Sequence, residues 1–540
     1  MPKRPTTAMV CLLVLLAGAI GGASAAPATP VAVAPGVYLP LILAARPAGA
    51  NANTSVPAYS EQFQYGLNGG YYGNGWDDNK VNALGADIGA RTTRASLPDA
   101  FIGQWGAGIR TAEFAYAHDT LQFRENTVFL GQPRAEWQDT ASYFNDSQGK
   151  PVRSKLWQGM YEPIWDSGQN GTPVNDNNRF ALYVWQIAST YGQYIRFYEI
   201  INEPDYTSSA AAYAQPGDPK GSWWDTAPAP KDLPNLNAPI YNYIRLLRIA
   251  YEVVKKDHPA AYVTPGGVGY DSFVDALTRY TDNPEAGKAT PAYPLTGGAY
   301  FDVLSYHIYP QFGGRYWDNA KSGFVYARHS DRMIEVFGNQ RNTMQAALSA
   351  RGYNGLTYPK KHLIITETNI SRKRFGDYIG STEAQRNYVL KALVKSQQLD
   401  IKQVYWFITG DSADEATATS EFELMGFYEN LTRDKPGSQK LVQSGIAHRT
   451  ATQQLFGWRY DDAATQALNL PSGVDGATFR QANKLRYVVW AKTSQDLDET
   501  ASATISLPGS YTAVAWDGTT QTFGGANIQL TGTPIFLTPQ

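Results

Sequence analysis

The chain has 540 residues, with 46 lysines and arginines against 48 aspartates and glutamates and a formal charge of −2. No basic run interrupts that balance, which argues against nucleic acid or an anionic membrane as a partner. One cysteine excludes a disulfide framework, and six histidines scattered without metal-ligand spacing disfavour metal hydrolysis, so no metal and no cofactor is expected.

Residues 1–25 read as an export signal: Lys3 and Arg4 at the start, an apolar run from Ala8 to Ile20, and the small-residue site Ala23-Ser24-Ala25. The apolar run is short for a bilayer span, so a membrane anchor is the weaker alternative and no membrane partner is expected after the signal is removed. Cys11 lies inside this segment, which leaves an exported chain without a thiol. Secretion by a bacterial route is the expectation. Residues 26–60, rich in Ala, Pro and Val and without a sustained period, read as a linker. Within it Val37–Leu43 is strongly apolar and either docks as a strand or belongs to the export region.

From Phe63 the chain alternates between strand-like and helix-like segments. Eight strands are predicted at Phe63–Leu67, Arg91–Ala95, Thr127–Leu130, Phe197–Ile201, Tyr262–Thr264, Phe301–Tyr306, Leu363–Thr366 and Val404–Phe407. Helices are predicted over Ile240–Lys256, with Lys255 and Lys256 in the last turn, over Arg332–Arg351 before the stop signal Gly352, and over Leu441–Phe456. Another, Thr382–Leu399, opens with Thr382 and Gln385 at capping-box spacing. Repeated βα units imply parallel strands, and eight of them favour a closed (β/α)8 TIM barrel over residues 61–457. No Gly-x-Gly-x-x-Gly follows the first strand, which disfavours an open doubly wound sheet. After Trp458 short β-like runs at Leu485–Ala491, Ala503–Leu507, Tyr511–Trp516 and Ile535–Leu537 alternate with turns, so residues 458–540 read as a small all-β, sandwich-like domain.

Three long segments, Gln132–Asn178, Asp205–Pro239 and Pro310–Phe324, interrupt the alternation and carry Trp137, Trp157, Trp165, Trp223, Trp224, Phe312, Tyr316 and Trp317. Long loops on the catalytic face of a barrel wall a cleft. Aromatic side chains in them suit stacking on sugar faces, with core filling as the alternative.

The chemistry concentrates in Arg196–Tyr206. An apolar strand there ends at Asn202-Glu203-Pro204, where the proline cannot continue a ladder and is expected to push Glu203 into an extended conformation. Glu203 is thereby presented at the C-terminal lip of a strand, where barrels place their catalytic groups. A second apolar run, Lys361–Thr368, closes on Glu367.

The pairing of Asn202-Glu203-Pro204 with Glu367 resembles the retaining glycoside hydrolases of clan A, which are (β/α)8 barrels. The wording His307-Ile308-Tyr309 on strand six and the β-rich C-terminal region are similar to family 39 and, more loosely, family 5. The resemblance implies Glu203 as acid/base, Glu367 as nucleophile, and Asn202 as a donor to the sugar 2-hydroxyl. It implies that His307 and Tyr309 touch the nucleophile or the sugar, and that Trp406, ending strand eight, lies beneath the sugar, with core packing as its alternative. Ile201 departs from the Trp, Gly or Ala common before the Asn. Glu203 is expected to have its pKa raised by burial and neighbouring charge. Arg94 is expected to donate to Glu367, or else to bridge Glu199, which lies four before Glu203 on the same face and reads as a buried structural partner. The expected activity is double-displacement hydrolysis of a polysaccharide or oligosaccharide. A catalytically silent glycan-binding barrel and a transglycosylase using the same residues are the alternatives.

Overall fold

The computed structural model describes residues 55–59, 62–493, 498–525 and 527–540. The expected export signal, the run Val37–Leu43 and most of the linker lie outside them.

Eight parallel strands form one sheet: Gln64–Asn68 (β1), Thr92–Ser96 (β2), Thr127–Leu130 (β3), Phe197–Ile200 (β4), Tyr262–Pro265 (β5), Val303–Ile308 (β6), His362–Thr368 (β7) and Ile401–Trp406 (β8). Their order is β5-β4-β3-β2-β1-β8-β7-β6. A helix follows every strand, among them Asp78–Asp87, Arg179–Tyr191, Ile240–Asp257, Asp271–Arg279, Ser330–Ala350, Thr382–Gln398 and Gln443–Leu455. The ring closes between β5 and β6 without a regular ladder. Pro265 has no N–H to give. Side chains take over: the Ser305 N–H donates to Thr264 Oγ1 at 2.8 Å and the Val263 N–H to Asp302 Oδ2 at 3.1 Å, with one parallel bridge at Val268–Tyr306. The expected (β/α)8 barrel is thus the fold.

Strand alternation sorts each strand into two faces. Outward, Tyr65, Val128, Tyr198, Ile200, Val263, Leu304, Ile365, Val404 and Trp406 join the large apolar core shared with the helices. Inward, the floor is a separate cluster of Phe197, Tyr262, Val303 and Ile364. Tyr59 packs beneath it against the Phe197, Tyr262 and His362 rings, and the Pro57 and Ala58 carbonyls accept hydrogen bonds from His362 and Tyr262. Residues 57–59, read as the end of a linker, therefore plug the barrel floor.

Two helix starts differ from expectation. Ser381, not Thr382, caps the helix after β7, its hydroxyl accepting the Ala384 N–H at 3.0 Å, while Gln385 turns inward to donate to the Ile370 carbonyl. The helix expected from Arg332 starts at Ser330 and is capped by His329.

The C-terminal region is all-β apart from the short helix Asp462–Ala467. A six-stranded antiparallel sheet, including Val474–Gln481, Lys484–Ala491 and Ile535–Pro539, carries the pair Ser502–Ser506 and Asn527–Thr531 against one face through Ile505, Leu507, Ile528 and Leu530. It is fastened to barrel helices by polar contacts. Glu499 accepts from the Ser330 N–H at 2.6 Å and from Asn387 at 2.7 Å, and Asp331 accepts from Trp490 Nε1 at 3.0 Å and from the Thr493 N–H at 2.8 Å.

Candidate active site

At the lip of β4 the chain turns sharply. Ile201 and Glu203 have φ of +58° and +48°, a left-handed region that a β-branched residue rarely adopts. Glu203 is therefore not extended, as the following proline suggested. Its N–H donates to the Gly266 carbonyl at 2.5 Å and its carbonyl accepts from Asn235 at 2.9 Å, and these bonds fix the turn. Gly266 is required at this approach, because a Cβ there would lie 1.2 Å from the Ile201 carbonyl oxygen. Asp205, fully buried, ties the β4 loop to the β5 loop by accepting the Gly269 and Tyr270 N–H groups at 2.8 and 2.9 Å. Burial pushes its carboxyl up to about 7, the charge of Glu203 adding to the effect.

Across the barrel, β7 carries a register irregularity between Ile365 and Glu367. It lets consecutive residues reach the interior: Thr366 donates to Glu199 Oε1 at 2.8 Å, while Glu367 meets Arg94. Arg94, buried at the end of β2, is the hub. Its Nε binds Glu199 Oε2 at 2.6 Å, Nη1 binds Glu367 Oε1 at 2.6 Å, and Nη2 donates to Asn202 Oδ1 at 2.5 Å. Both readings of Arg94 therefore hold at once. The last bond also orients Asn202, leaving its amide nitrogen as the outward donor. Glu199 is fully buried and accepts further from Ser305 at 2.7 Å.

From β6, His307 Nδ1 lies 2.9 Å from Glu203 Oε1 and 3.8 Å from Glu367 Oε2, and the Tyr309 hydroxyl donates to Glu367 Oε2 at 2.6 Å. One oxygen of Glu203, one of Glu367 and a His307 ring nitrogen all lie within 4.8 Å of one another. The same trio has the composition of a cation site. However, Arg94 and Tyr309 already donate to both oxygens of Glu367, so a cation would have to compete with a guanidinium.

The electrostatics differ from expectation at Glu203. Burial acts to raise its carboxyl, but the hydrogen bond and charge of His307, helped by Arg94, bring it below the usual glutamate range. Burial acts to lower His307, yet Glu367 and Glu203 together raise it above the usual histidine range. The resting proton of this pair therefore sits on the imidazole. Burial and the adjoining Glu367 push the Tyr309 hydroxyl up, which keeps it a donor. Burial opposes the charge on Arg94, and Glu199 and Glu367 more than restore it.

Trp406 does not reach this site. It is fully buried on the outward face of β8 against Tyr388, Phe427 and His448, so its role is core packing. The residue turned toward the site is its neighbour Phe407, whose ring meets Tyr309 at 6.0 Å. A one-residue slip exchanges the faces of a strand. Asn68 at the end of β1, accepting from Arg94 at 3.3 Å, and Asp205 also belong to the assembly and were not singled out from the sequence. A polar residue closing an apolar strand was the available signal for Asn68. Among the loop aromatics, Trp157 and Trp223 are core residues, whereas Phe312 and Trp317 are exposed.

No family model matches the sequence, and no curated protein matches it. Among solved structures, the chain is similar to a family 39 glycoside hydrolase from the gut symbiont Bacteroides cellulosilyticus WH2, with a TM-score of 0.54 over 89% of this chain and 81% of that one, at 14% identity. A GH30 endoxylanase from Clostridium papyrosolvens C71 gives a TM-score of 0.49 at 13% identity, covering 90% of this chain and 97% of that one. A family 51 α-L-arabinofuranosidase from Bifidobacterium longum gives 0.48 at 10% identity, covering 90% and 98%. At these identities the likeness is one of fold.

Proposed function

We propose that the chain is a retaining glycoside hydrolase of the clan A type, acting on a polysaccharide or oligosaccharide, with Glu367 as nucleophile and Glu203 as acid/base. The observation that carries this reading is the convergence of two carboxylates at the lips of β4 and β7, with oxygens within 4.8 Å and different partners. That approach suits the roughly 5–5.5 Å carboxyl separation of retaining enzymes better than the 6.5–9.5 Å of inverting ones. Glu367, held between Arg94 and Tyr309, is aimed as the nucleophile. Glu203, paired to His307, has access to a proton. The likeness of fold to a family 39 glycoside hydrolase agrees with the reading.

The charge pattern suggests how the proton moves. In the resting site the proton of the Glu203–His307 pair sits on His307. As Glu367 attacks the anomeric carbon and the glycosidic bond breaks, Glu203 takes the His307 proton across the 2.9 Å contact and passes it to the departing oxygen, which leaves a neutral imidazole and a carboxylate. Esterification of Glu367 removes the charge that does most to hold the proton on His307. Glu203 then takes a proton from the attacking water, the ester is cleaved, and the proton returns to the imidazole. Asn202 is the donor for the 2-hydroxyl, and Phe407, whose ring meets Tyr309 at 6.0 Å, takes the aromatic position expected of Trp406. Residues 1–25 are proposed to direct export, placing the enzyme outside the cell.

Glu367→Gly is the test. It should abolish hydrolysis and, with added azide, turn over an aryl glycoside to the azide of inverted configuration. Glu203→Ala should spare activated aryl leaving groups and lose about 10²–10⁴-fold on poor ones. Hydrolysis by Glu367→Gly at the wild-type rate would remove this reading.

A further inference from the structure

The β6 loop carries a hairpin, Arg315–Asp318 paired antiparallel with Gly323–Tyr326, in which Trp317 stands opposite Phe324 and Arg315 opposite Tyr326. Alternation divides it into two faces. Tyr316 packs on the core, as a hairpin anchor should. The other face carries Arg315, Trp317, Phe324 and Tyr326. Folding logic would cover such a surface, yet Trp317 is 48% and Phe324 61% exposed. The two rings meet edge to face at 5.3 Å, the Arg315 guanidinium lies over Phe324 at 4.9 Å, and Trp317 Nε1 donates to Asn319 at 3.0 Å. The aromatic surface is therefore held in shape while remaining open.

That surface is continuous with the carboxylates. Tyr326 meets Tyr378 at 5.0 Å, Tyr378 meets Phe312 at 5.0 Å, Phe312 meets Phe422 at 6.0 Å, and Phe422 meets Tyr309, the donor to Glu367, at 5.1 Å. These rings come from the loops after β6, β7 and β8. On another arc of the rim, the loop of Glu203 presents Tyr206 and Tyr213, 57% and 68% exposed, with the Tyr213 hydroxyl hydrogen-bonded to that of Tyr270 at 2.7 Å.

We infer that the aromatic face of the hairpin, continued by Tyr378, Phe312 and Phe422, is a stacking track for a polysaccharide chain extending beyond the cleavage point, and that the enzyme cuts such chains internally. Pyranose rings have apolar faces that suit partly exposed aromatic rings, and tyrosine hydroxyls supply hydrogen bonds at the ring edges. Open aromatic surface on two arcs of the rim suits a chain that runs past the cleavage point on both sides. The inference rests on the glycosidase reading for its substrate, and the occupant follows from the continuity of the track with Glu367.

The test combines Trp317→Ala with Phe324→Ala. Both residues are exposed, and an unchanged thermal melt establishes that the variant is folded. In a Glu367→Gln background, electrophoresis through gels containing xylan, glucomannan, mixed-linkage β-glucan or carboxymethyl cellulose measures binding without turnover. At least one polymer should retard the parent, and the two alanines should weaken that affinity about tenfold. In the active background, kcat/KM on the same polymer should fall far more than on an aryl glycoside. Equal retardation with and without the alanines, or no retardation by any of the four polymers, overturns the track. So does a dimer that the alanines dissociate with no change in polymer affinity, since the face would then be a contact between copies. Failure of the glycosidase reading is seen separately: azide rescue is absent, whereas the gel result still reports on the track.

Discussion

The two faces of the eight barrel strands are built to opposite rules. Outward residues such as Tyr198, Val263, Leu304 and Val404 are apolar and buried under helices, each worth about 1.5–3 kcal/mol of burial. Above the aromatic floor the inward residues are polar and hydrogen-bonded. The Tyr405 hydroxyl contacts Thr92, Thr127 and Gln403 at 3.0, 2.8 and 2.7 Å, and above it Glu199 gathers Ser305, Thr366 and Arg94. Gly66 belongs to this face because a Cβ there would enter the Tyr405 ring. The outer face supplies stability, and the inner face spends buried polar groups on aiming Glu203 and Glu367. A buried network of this kind specifies geometry more than it stabilises.

Arg94→Met strikes the inner face hardest, because one guanidinium serves Glu199, Glu367 and Asn202. It strands a buried carboxylate, so urea unfolding should show a loss of about 3–5 kcal/mol. It also frees the nucleophile from its charged donor, and kcat/KM should fall about 10²–10³-fold. Wild-type stability in this variant would contradict the division, since it would mean that the Glu199 network is dispensable.

Trp406→Ala tests the outer face. Removing a fully buried tryptophan should cost about 3–5 kcal/mol. Activity per folded molecule should stay within about threefold, because the ring faces Tyr388 and His448 and not the carboxylates. An intact melt with a large loss of kcat would return Trp406 to the sugar.

Much of the outer face was legible in the sequence. Its apolar residues mark seven of the eight strands, β2 being the largely polar Thr92–Ser96, and the predicted bounds lie within three residues of the observed ones. The endings at Glu203 and Glu367 were legible because a carboxylate after an apolar run has no core to join. Contacts between distant segments were not. Phe407 and Trp406 differ by one step of alternation, and an aromatic run alone does not say which faces inward. The helix Arg179–Tyr191 is apolar on most sides and follows a long loop without a clear period. The C-terminal strands Thr520–Gly524 and Asn527–Thr531 carry largely polar, exposed residues, so their pairing does not appear as an apolar run. The depressed carboxyl of Glu203 depends on a histidine 104 residues away, a contact that only the closed barrel creates.

That contact gives the smallest predicted change and the finest test of the inner face. His307 is raised above its ordinary 6.5, so its favourable contribution is complete below that value and is lost as pH rises through the folded-state pKa. Glu203 is depressed below its ordinary 4.5, so its contribution is present above 4.5 and is lost as pH falls through the folded-state value. The excess stability of wild type over His307→Gln should therefore be greatest between these limits and shrink on both sides. The basic limb of kcat/KM reports loss of the proton shared by the pair in the free enzyme. In His307→Gln that proton belongs to Glu203 alone. Burial raises the carboxyl there, but it starts two units below imidazole and still feels Arg94, so the limb should move to lower pH. A basic limb that stays in place or moves up would mean that Glu203 holds its own proton in the resting enzyme and that His307 only positions it.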